Sequence, residues 1–159
     1  MKKTVIFLAS LALYAISFSQ DVIRLQSCKD DLISRQADSL KTLYGKDGFS
    51  LLKEASISME SEFEMPVIVP LTQGSWYQFV FIGDYTSKLY EVRMYDYNEK
   101  QVIYQKHYGD GMESNIISFS YIPKFTEYHM IKPVQVNKQK KKLCGYVMLM
   151  KKPDPTAKK

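Results

Sequence analysis

Histidine, cysteine and tryptophan are scarce: the 159 residues contain two, two and one of them. Metal centres built on histidine or cysteine clusters are therefore not expected. The chain also lacks a Gly-x-Ser-x-Gly elbow, a phosphate-binding loop and a dinucleotide fingerprint. Gly109-Asp110-Gly111 resembles a glycine-rich loop, but its strand–turn–strand surroundings favour a hairpin turn. We expect neither an enzyme nor a bound cofactor.

Glycine and proline are also few, with 7 and 6 residues, which excludes a fibrous or low-complexity protein. Hydrophobic residues make up 45% of the chain and charged residues 25%, an ordinary balance that argues against intrinsic disorder. A chain of this length folds as one domain and can bury a core without a structural metal.

Residues 1–19 have the pattern of a secretory signal peptide. Two lysines precede an uncharged apolar run from Val5 to Phe18, and Ser17-Phe18-Ser19 supplies the small residues that precede a cleavage site. A membrane anchor is the first alternative, but the run is shorter than the roughly 20 residues that a span needs. A lipoprotein site at Leu25-Gln26-Ser27-Cys28 is the second, although Asp21 and Arg24 separate it from the apolar run. We expect export to the periplasm or the medium, and no membrane span after cleavage.

The remaining chain divides into a helical segment, residues 20–48, a β-domain, residues 49–151, and a flexible basic tail, residues 152–159. Without the signal the net charge is +3, because residues 20–131 carry −5 and residues 132–159 carry +8. Basic tails can bind nucleic acid. Export makes that partner unexpected, and a solvated lysine-rich turn at 138–142 explains the charge.

The two cysteines favour a disulfide. An exported protein meets an oxidising compartment, and Cys28 with Cys144 is the one pairing that the chain allows. The alternative is two buried free thiols. A catalytic cysteine is not expected, because neither His107 nor His129 lies in a recognisable Cys–His signature.

Residues 27–44 are predicted to form a helix. Ser27 or Asp30 can cap its start, Gly45 can end it, and apolar residues recur at helical spacing on one side. That side comprises Leu25, Leu32, Ile33, Gln36, Leu40, Leu43 and Tyr44.

After Gly48 the hydrophobic period changes from that of a helix to that of a strand. Eight short strands with turn residues between them and no intervening helix predict an all-β fold, an antiparallel jelly-roll-like sandwich. The predicted strands are Phe49–Met59, Glu64–Leu71, Trp76–Ile82, Leu89–Asp96, Gln101–His107, Asn115–Tyr121, Glu127–Val134 and Leu143–Met150.

Two of these strands are apolar on both faces and must be covered on both. They are Trp76–Ile82, whose Trp76 we assign to the core, and Leu143–Met150. The N-terminal helix is the spare element that can cover the second face, and a Cys28–Cys144 bond would hold it there. In Leu89–Asp96, by contrast, apolar residues alternate with Glu91 and Arg93, which predicts one core face and one solvated face.

Three segments resemble the bacterial pre-peptidase C-terminal domains and related collagen-binding-like sandwiches. They are Pro66–Tyr77, with the pattern Leu-x-x-Gly-x-x-Tyr, Val92–Asp96, which ends in Asp before a turn, and Tyr128–Ile131. The resemblance spans residues 64–132 and implies a jelly-roll-like accessory domain of an exported bacterial protein. The chain also resembles the small exported proteins of Bacteroidota, many of which have no known function.

Some members of that family bind calcium through clustered carboxylates. Here Glu60, Glu62 and Glu64 alternate along the chain, but the sequence has no Asp-x-Asp-x-Asp-Gly loop to converge on an ion. The interpretation that we adopt is a charged strand edge that resists aggregation.

Tyrosine is the one residue in surplus, with 12 copies. Strands favour tyrosine, so many of these serve the fold. Exposed tyrosines can also anchor a protein interface or stack on a sugar ring. The candidate surface tyrosines lie near turns and on strands: Tyr85, Tyr95, Tyr97, Tyr104 and Tyr108.

Two functions therefore stay open. The first is a non-catalytic accessory module that binds a protein partner in the bacterial envelope. The alternative is a carbohydrate-binding module that uses tyrosines on one sheet face. An unpaired edge or a flat apolar patch would favour the first, and a row of exposed tyrosines the second.

Overall fold

The computed structural model describes residues 27–109, 111 and 114–152. The predicted signal peptide, Asp110 and residues 153–159 of the predicted tail lie outside them. The described elements are one helix, α1 (Asp31–Lys46), and eight strands: β1 (Ser50–Glu60), β2 (Val67–Leu71), β3 (Trp76–Gly83), β4 (Leu89–Tyr95), β5 (Gln101–Tyr108), β6 (Ile116–Tyr121), β7 (Glu127–Val136) and β8 (Lys142–Lys152).

The strands form two four-stranded antiparallel sheets. One has the order β1-β8-β3-β6 and is called the covered sheet below, because α1 packs on it; the other, β2-β7-β4-β5, is called the open sheet. The all-β prediction is confirmed, and each predicted strand corresponds to an observed one with shifts of up to three residues at its ends.

The main core lies between the inner faces of the two sheets. The covered sheet contributes the row Tyr77, Phe79 and Phe81 from β3, and the open sheet contributes Tyr90 and Val92 from β4, all of them buried. These residues occupy alternate positions because successive side chains of a strand point to opposite faces. Burial of such side chains supplies most of the stabilising free energy, about 1.5–3 kcal/mol each.

A second, smaller core lies on the other side of the covered sheet, beneath α1. Ile33 and Ala37 of the helix pack on Val80, Ile82 and Met148. The prediction that β3 and β8 are covered on both faces is confirmed, and α1 is the element that covers the second face.

A disulfide joins the segment before α1 to β8. Cys28 and Cys144 are bonded, with their Cα atoms 5.7 Å apart and a sequence separation of 116 residues. The predicted pairing is therefore present, and it attaches the helical segment to the covered sheet.

A polar network ties the middle of α1 to the same sheet. The Lys41 ammonium lies 2.5 Å from a carboxylate oxygen of Glu54 on β1, and the hydroxyl of Tyr146 donates to that carboxylate. The ion pair with Lys41 and the Tyr146 hydrogen bond hold the pKa of Glu54 below its usual value. Burial, with the Glu54 hydrogen bond, raises the pKa of Tyr146 to about 12.

Several local predictions are wrong at the ends of elements. The helix runs from Asp31 to Lys46 instead of from residue 27 to 44, and so continues past Gly45. Of the two predicted caps, Asp30 is the one present, and its carboxylate accepts from the amides of Leu32 and Ile33. Leu32 and Leu43 are exposed, because the helix presents Ile33 and Ala37 to the sheet instead.

Two predictions of burial are also wrong. Trp76 is 42% exposed, because it is the first residue of β3 and lies at the rim of the sandwich, where Phe49 and Lys152 contact its ring. Glu91 is buried on the face that we predicted to be solvated, because Arg93 and Tyr104 pack over it.

One end of the sandwich is held together by Gln135 of β7, which is fully buried. Its carbonyl oxygen accepts from the amide of Asp84 at 2.8 Å and the hydroxyl of Ser87 at 3.1 Å, and its amide donates to the carbonyl of Cys144 at 3.1 Å. The backbone approaches closely here: a Cβ on Gly145 would lie 2.6 Å from the Met59 sulfur. The opposite end carries the candidate site.

In the described residues, no helix is long and apolar enough to cross a membrane.

Candidate ligand-binding face

The outer face of the open sheet is covered by no described helix or strand, since α1 packs on the other sheet. Alternation along the strands decides which side chains it presents. Tyr90 and Val92 of β4 point into the core, so Glu91, Arg93 and Tyr95 point outward, and the strand register places their neighbours beside them. The other outward residues include Ile68, Pro70, Tyr104, Lys106, Tyr108, Tyr128, Met130 and Lys132.

The structure brings four of the five candidate tyrosines to this face or its end. Tyr95 belongs to β4, Tyr104 and Tyr108 belong to β5, and Tyr97 lies in the turn between those strands. Tyr85 lies in the loop between β3 and β4, at the end of β4 opposite Tyr97, and outside the strands of this face.

A charge network fills the middle of the face. Glu64 accepts from Arg93 at 3.0 Å and from Lys132 at 2.9 Å, and Arg93 also pairs with Glu91. The hydroxyl of Tyr104 donates to Glu91 at 3.4 Å. Burial lowers the pKa of Arg93, but the carboxylates of Glu91 and Glu64 outweigh it and raise that pKa overall. These charges neutralise one another within the sheet face.

Two lysines of this face also lie against tyrosine rings. The Lys132 ammonium lies 5.4 Å from the ring centre of Tyr95, and the Lys106 ammonium lies 5.3 Å from that of Tyr108. Both distances are those of a cation–π contact. Tyr104 is engaged through its hydroxyl, which donates to Glu91, so each of these three tyrosines has a partner within the protein.

Tyr97 and Tyr128 differ from those three tyrosines. They are 72% and 60% exposed, and within the described residues neither side chain has a hydrogen bond, a lysine or an aromatic ring against it. Sequence reasoning missed Tyr128, which it treated only as a strand residue. The available signal was the alternation along β7: His129 and Ile131 share one face, which the structure shows to be buried, so Tyr128 lies on the outer face.

The two free rings line one cleft, at the end of the open sheet where the β4–β5 turn lies beside β2 and β7. Its volume is about 560 Å³. The walls are Pro70, Leu71, Thr72, Tyr97, Thr126, Glu127 and Tyr128.

Glu127 is the one charged residue among these seven. It pairs with Leu71 in the β2–β7 register, and its side chain is 19% exposed. A carboxylate oxygen lies 3.7 Å from Nε2 of His129, which is 3.2 Å from the hydroxyl of Tyr121. Burial, together with the negative charges of Glu127 and Asp96, raises the pKa of Tyr121. The carboxylate of Glu127 therefore lies on the inner side of β7, towards His129 and Tyr121, while Tyr128 lies on the outer side.

A second concave region lies on one side of the sandwich, between β1 and β2. It is an apolar cleft of about 180 Å³ lined by core residues that include Ile57, Val69 and Phe79. Both flanking strands are edges of their sheets, and β1 is 11 residues long with Leu51 and Leu52 exposed near its start.

The three alternating glutamates do not share a strand face. Glu60 ends β1, Glu62 lies in the following turn with a φ of 74°, and Glu64 belongs to the charge network of the open sheet. In the part of the chain that the structure describes, no group of three or more potential metal ligands converges.

No family model matches the chain, and no curated protein matches it. The resemblance to pre-peptidase C-terminal domains therefore stays a prediction.

Solved structures with a similar fold do exist. One, described as "CBM4 structure and function", is 16% identical and covers 72% of this chain and 79% of its own, with a TM-score of 0.36. TmCBM61 in complex with β-1,4-galactotriose is 12% identical, with coverages of 65% and 82% and a TM-score of 0.38. The K3 cleaved adhesin domain of Lys-gingipain from Porphyromonas gingivalis w83 is 11% identical, with coverages of 63% and 74% and a TM-score of 0.38. At these identities and TM-scores, the similarities say nothing about the ligand of this chain.

Proposed function

We propose that this protein is an exported, non-catalytic binding module that holds a glycan in the cleft between Tyr97 and Tyr128. The carrying observation is that these are the two exposed tyrosines of the open sheet that have neither a hydrogen bond nor an aromatic or cation–π contact among the described side chains. A sugar ring presents C–H bonds on its face, and the negative face of an aromatic ring attracts such positively polarised hydrogens.

The rest of the cleft suits the same ligand. Its volume of about 560 Å³ falls within the range of small-molecule sites, about 300–1,000 Å³. Thr72 and Thr126 line the same cleft and carry hydroxyl groups. Hydroxyls donate and accept hydrogen bonds, which matches the many hydroxyls of a saccharide.

Export is supported by two independent features. The first 19 residues have the signal pattern, and the Cys28–Cys144 disulfide is typical of an oxidising compartment. Polysaccharides and glycoproteins of the envelope are accessible there.

The test is affinity electrophoresis of the purified mature protein through gels that contain single polysaccharides. The panel contains soluble galactan, glucan, xylan and mannan, together with uronic acid polymers. We expect at least one polymer to retard the protein, and Tyr97→Ala and Tyr128→Ala each to weaken that binding at least tenfold.

Tyr85→Ala is the matched control, because Tyr85 is also exposed but lies at the other end of β4. It should bind like the wild type. Retardation by no polymer of the panel would overturn the proposal, as would equal losses in the Tyr85 and Tyr97 variants.

A protein partner in the envelope is the second candidate, and the long free edge of β1 favours it. Edge strands accept an added strand from another chain through their unpaired backbone groups. The apolar cleft beside β1 could receive alternate side chains of that strand. A pull-down from envelope fractions tests it: capture should be lost in Leu52→Glu and kept in Tyr97→Ala, and the reverse pattern would contradict it.

A further inference from the structure

We infer that the glycan lies across two adjacent clefts, and that Phe125 is its aromatic contact in the second. This inference rests on the proposed function and deepens it, because it makes the ligand an oligosaccharide chain rather than a single sugar. The second cleft has a volume of about 520 Å³. It is lined by residues from the start of β5, the end of β6 and the turns beside them.

The two clefts share a wall at the end of the sandwich. Glu127 lines both of them. On the β4–β5 turn, Asp96 lines the second cleft and Tyr97 the first; on the β6–β7 loop, Phe125 lines the second and Thr126 the first. Consecutive Cα atoms are about 3.8 Å apart, so the backbone of one short segment separates the clefts at each of these places. A saccharide chain that continues past this wall reaches the second cleft.

Phe125 has an open ring with which to contact a sugar. It is 65% exposed, and within the described residues no lysine or aromatic ring lies against it. A sugar that covers the phenyl ring with its C–H face removes apolar surface from water, which is favourable. Lys100 and Lys124 line the same cleft and carry ammonium groups, which can donate hydrogen bonds to hydroxyls.

Hydrogen bonds fix the two segments that form the shared wall. The amide of Gln73, in the β2–β3 turn, donates to the hydroxyl of Thr126 at 2.9 Å and so ties down the β6–β7 loop beside Phe125. In the β4–β5 turn, the carboxylate of Asp96 accepts from the amide of Lys100 at 2.9 Å. Segments that are fixed before the ligand arrives lose less conformational entropy on binding.

The length of the ligand tests the inference. An oligosaccharide that spans both clefts makes its second contact within the complex, without a second loss of translational and rotational freedom. The probes are gluco-, xylo-, manno- and galacto-oligosaccharides of two and of six units, and their Kd values are measured by NMR titration of the mature protein. For at least one series, the wild type should bind the six-unit form at least tenfold more tightly than the two-unit form.

Variants of exposed aromatic residues assign the difference to the second cleft. Phe125→Ala should weaken binding of the six-unit form about tenfold and leave the two-unit form unchanged, whereas Tyr97→Ala should weaken both. Phe125→Trp keeps an aromatic face and should keep the tighter binding. Phe63→Ala is the matched control, because Phe63 is 66% exposed and follows β1 at the opposite end of the sandwich. It should change neither Kd, and thermal melting checks that each variant is folded.

The outcomes separate this inference from the proposed function. Equal Kd values for the two lengths in the wild type would overturn the second cleft and leave the glycan site standing. An unchanged Kd for the six-unit form in Phe125→Ala, or equal losses in Phe125→Ala and Phe63→Ala, would do the same. If no oligosaccharide and no polymer of the panel binds, both the inference and the proposed function are overturned.

Discussion

Replacement of Cys28 and Cys144 together by alanine should destabilise the protein through its unfolded state. The bond closes a loop across 116 residues of sequence separation. The chain-entropy relation assigns about 5 kcal/mol at 25 °C to a closure of that length, and measured values are often lower, about 2–4 kcal/mol. We therefore expect the double variant to lose about 3–5 kcal/mol of the free energy of unfolding.

The measurement is urea denaturation followed by tryptophan fluorescence and far-UV circular dichroism. With a slope of about 2 kcal/mol per molar urea, the midpoint should fall by about 2 M. The oxidised wild type gives the reference, and the wild type in reductant is the control, because it should behave like the double variant.

A structural consequence should accompany this loss. Without the bond, α1 is held by the contacts of Ile33 and Ala37 and by the Lys41–Glu54–Tyr146 network. Hydrogen exchange of the helix amides should then become faster than that of β3 and β8, since locally opening segments exchange first. If the double variant loses less than about 1 kcal/mol of the free energy of unfolding, and the hydrogen exchange of the helix amides is unchanged, the account of the disulfide is refuted.

Two further predictions concern the packing of the sandwich and the tether of α1. Gly145→Ala would place a methyl group 2.6 Å from the Met59 sulfur and 3.2 Å from the Phe81 ring, which should lower the free energy of unfolding by about 1–3 kcal/mol. The control in thermal melting is Gly45→Ala, because nothing lies within 4 Å of a Cβ at that position. Equal melting temperatures of the two variants would contradict the prediction. The ion pair with Lys41 lowers the pKa of Glu54 from its ordinary 4.5, so the pair stabilises the fold above that pH and loses its effect as the pH falls through the lowered value. Glu54→Gln should therefore flatten the acid side of the stability–pH curve relative to Glu60→Gln, and two curves of the same shape would count against this tether.

Much of the fold could be predicted because its signals are local. Alternation revealed the strands, and β3 and β8 were visible as doubly apolar strands that need cover on both faces. The one possible cysteine pair then predicted that the helical segment before β1 is attached to β8. The apolar row that a strand buries consists of that strand's own alternate residues, so it can be identified in a single sequence.

What could not be predicted depends on neighbours in space. The burial of Glu91 requires Arg93 and Tyr104, and Tyr104 comes from the next strand. The exposure of Trp76 follows from its position at the first residue of β3, which the apolar composition of that strand conceals.

The candidate site depends on spatial neighbours still more. Tyr95 and Tyr108 were identified as surface tyrosines, but the lysines against their rings come into view only with the sheet register. Tyr128 and Glu127 line the same cleft as Tyr97 because β7 lies beside β4. The order of the strands in the sequence gives no sign of that adjacency.

The central claim is that the cleft at the end of the open sheet binds a sugar. Its most direct test is a ¹H–¹⁵N NMR titration of the mature protein with an oligosaccharide cut from a polymer that retards it. Saturable shifts should cluster at Thr72, Tyr97, Thr126, Glu127 and Tyr128, while the amides of β1 stay in place. Shifts confined to β1 and β2 beside the apolar cleft, or none at millimolar ligand, would contradict the account.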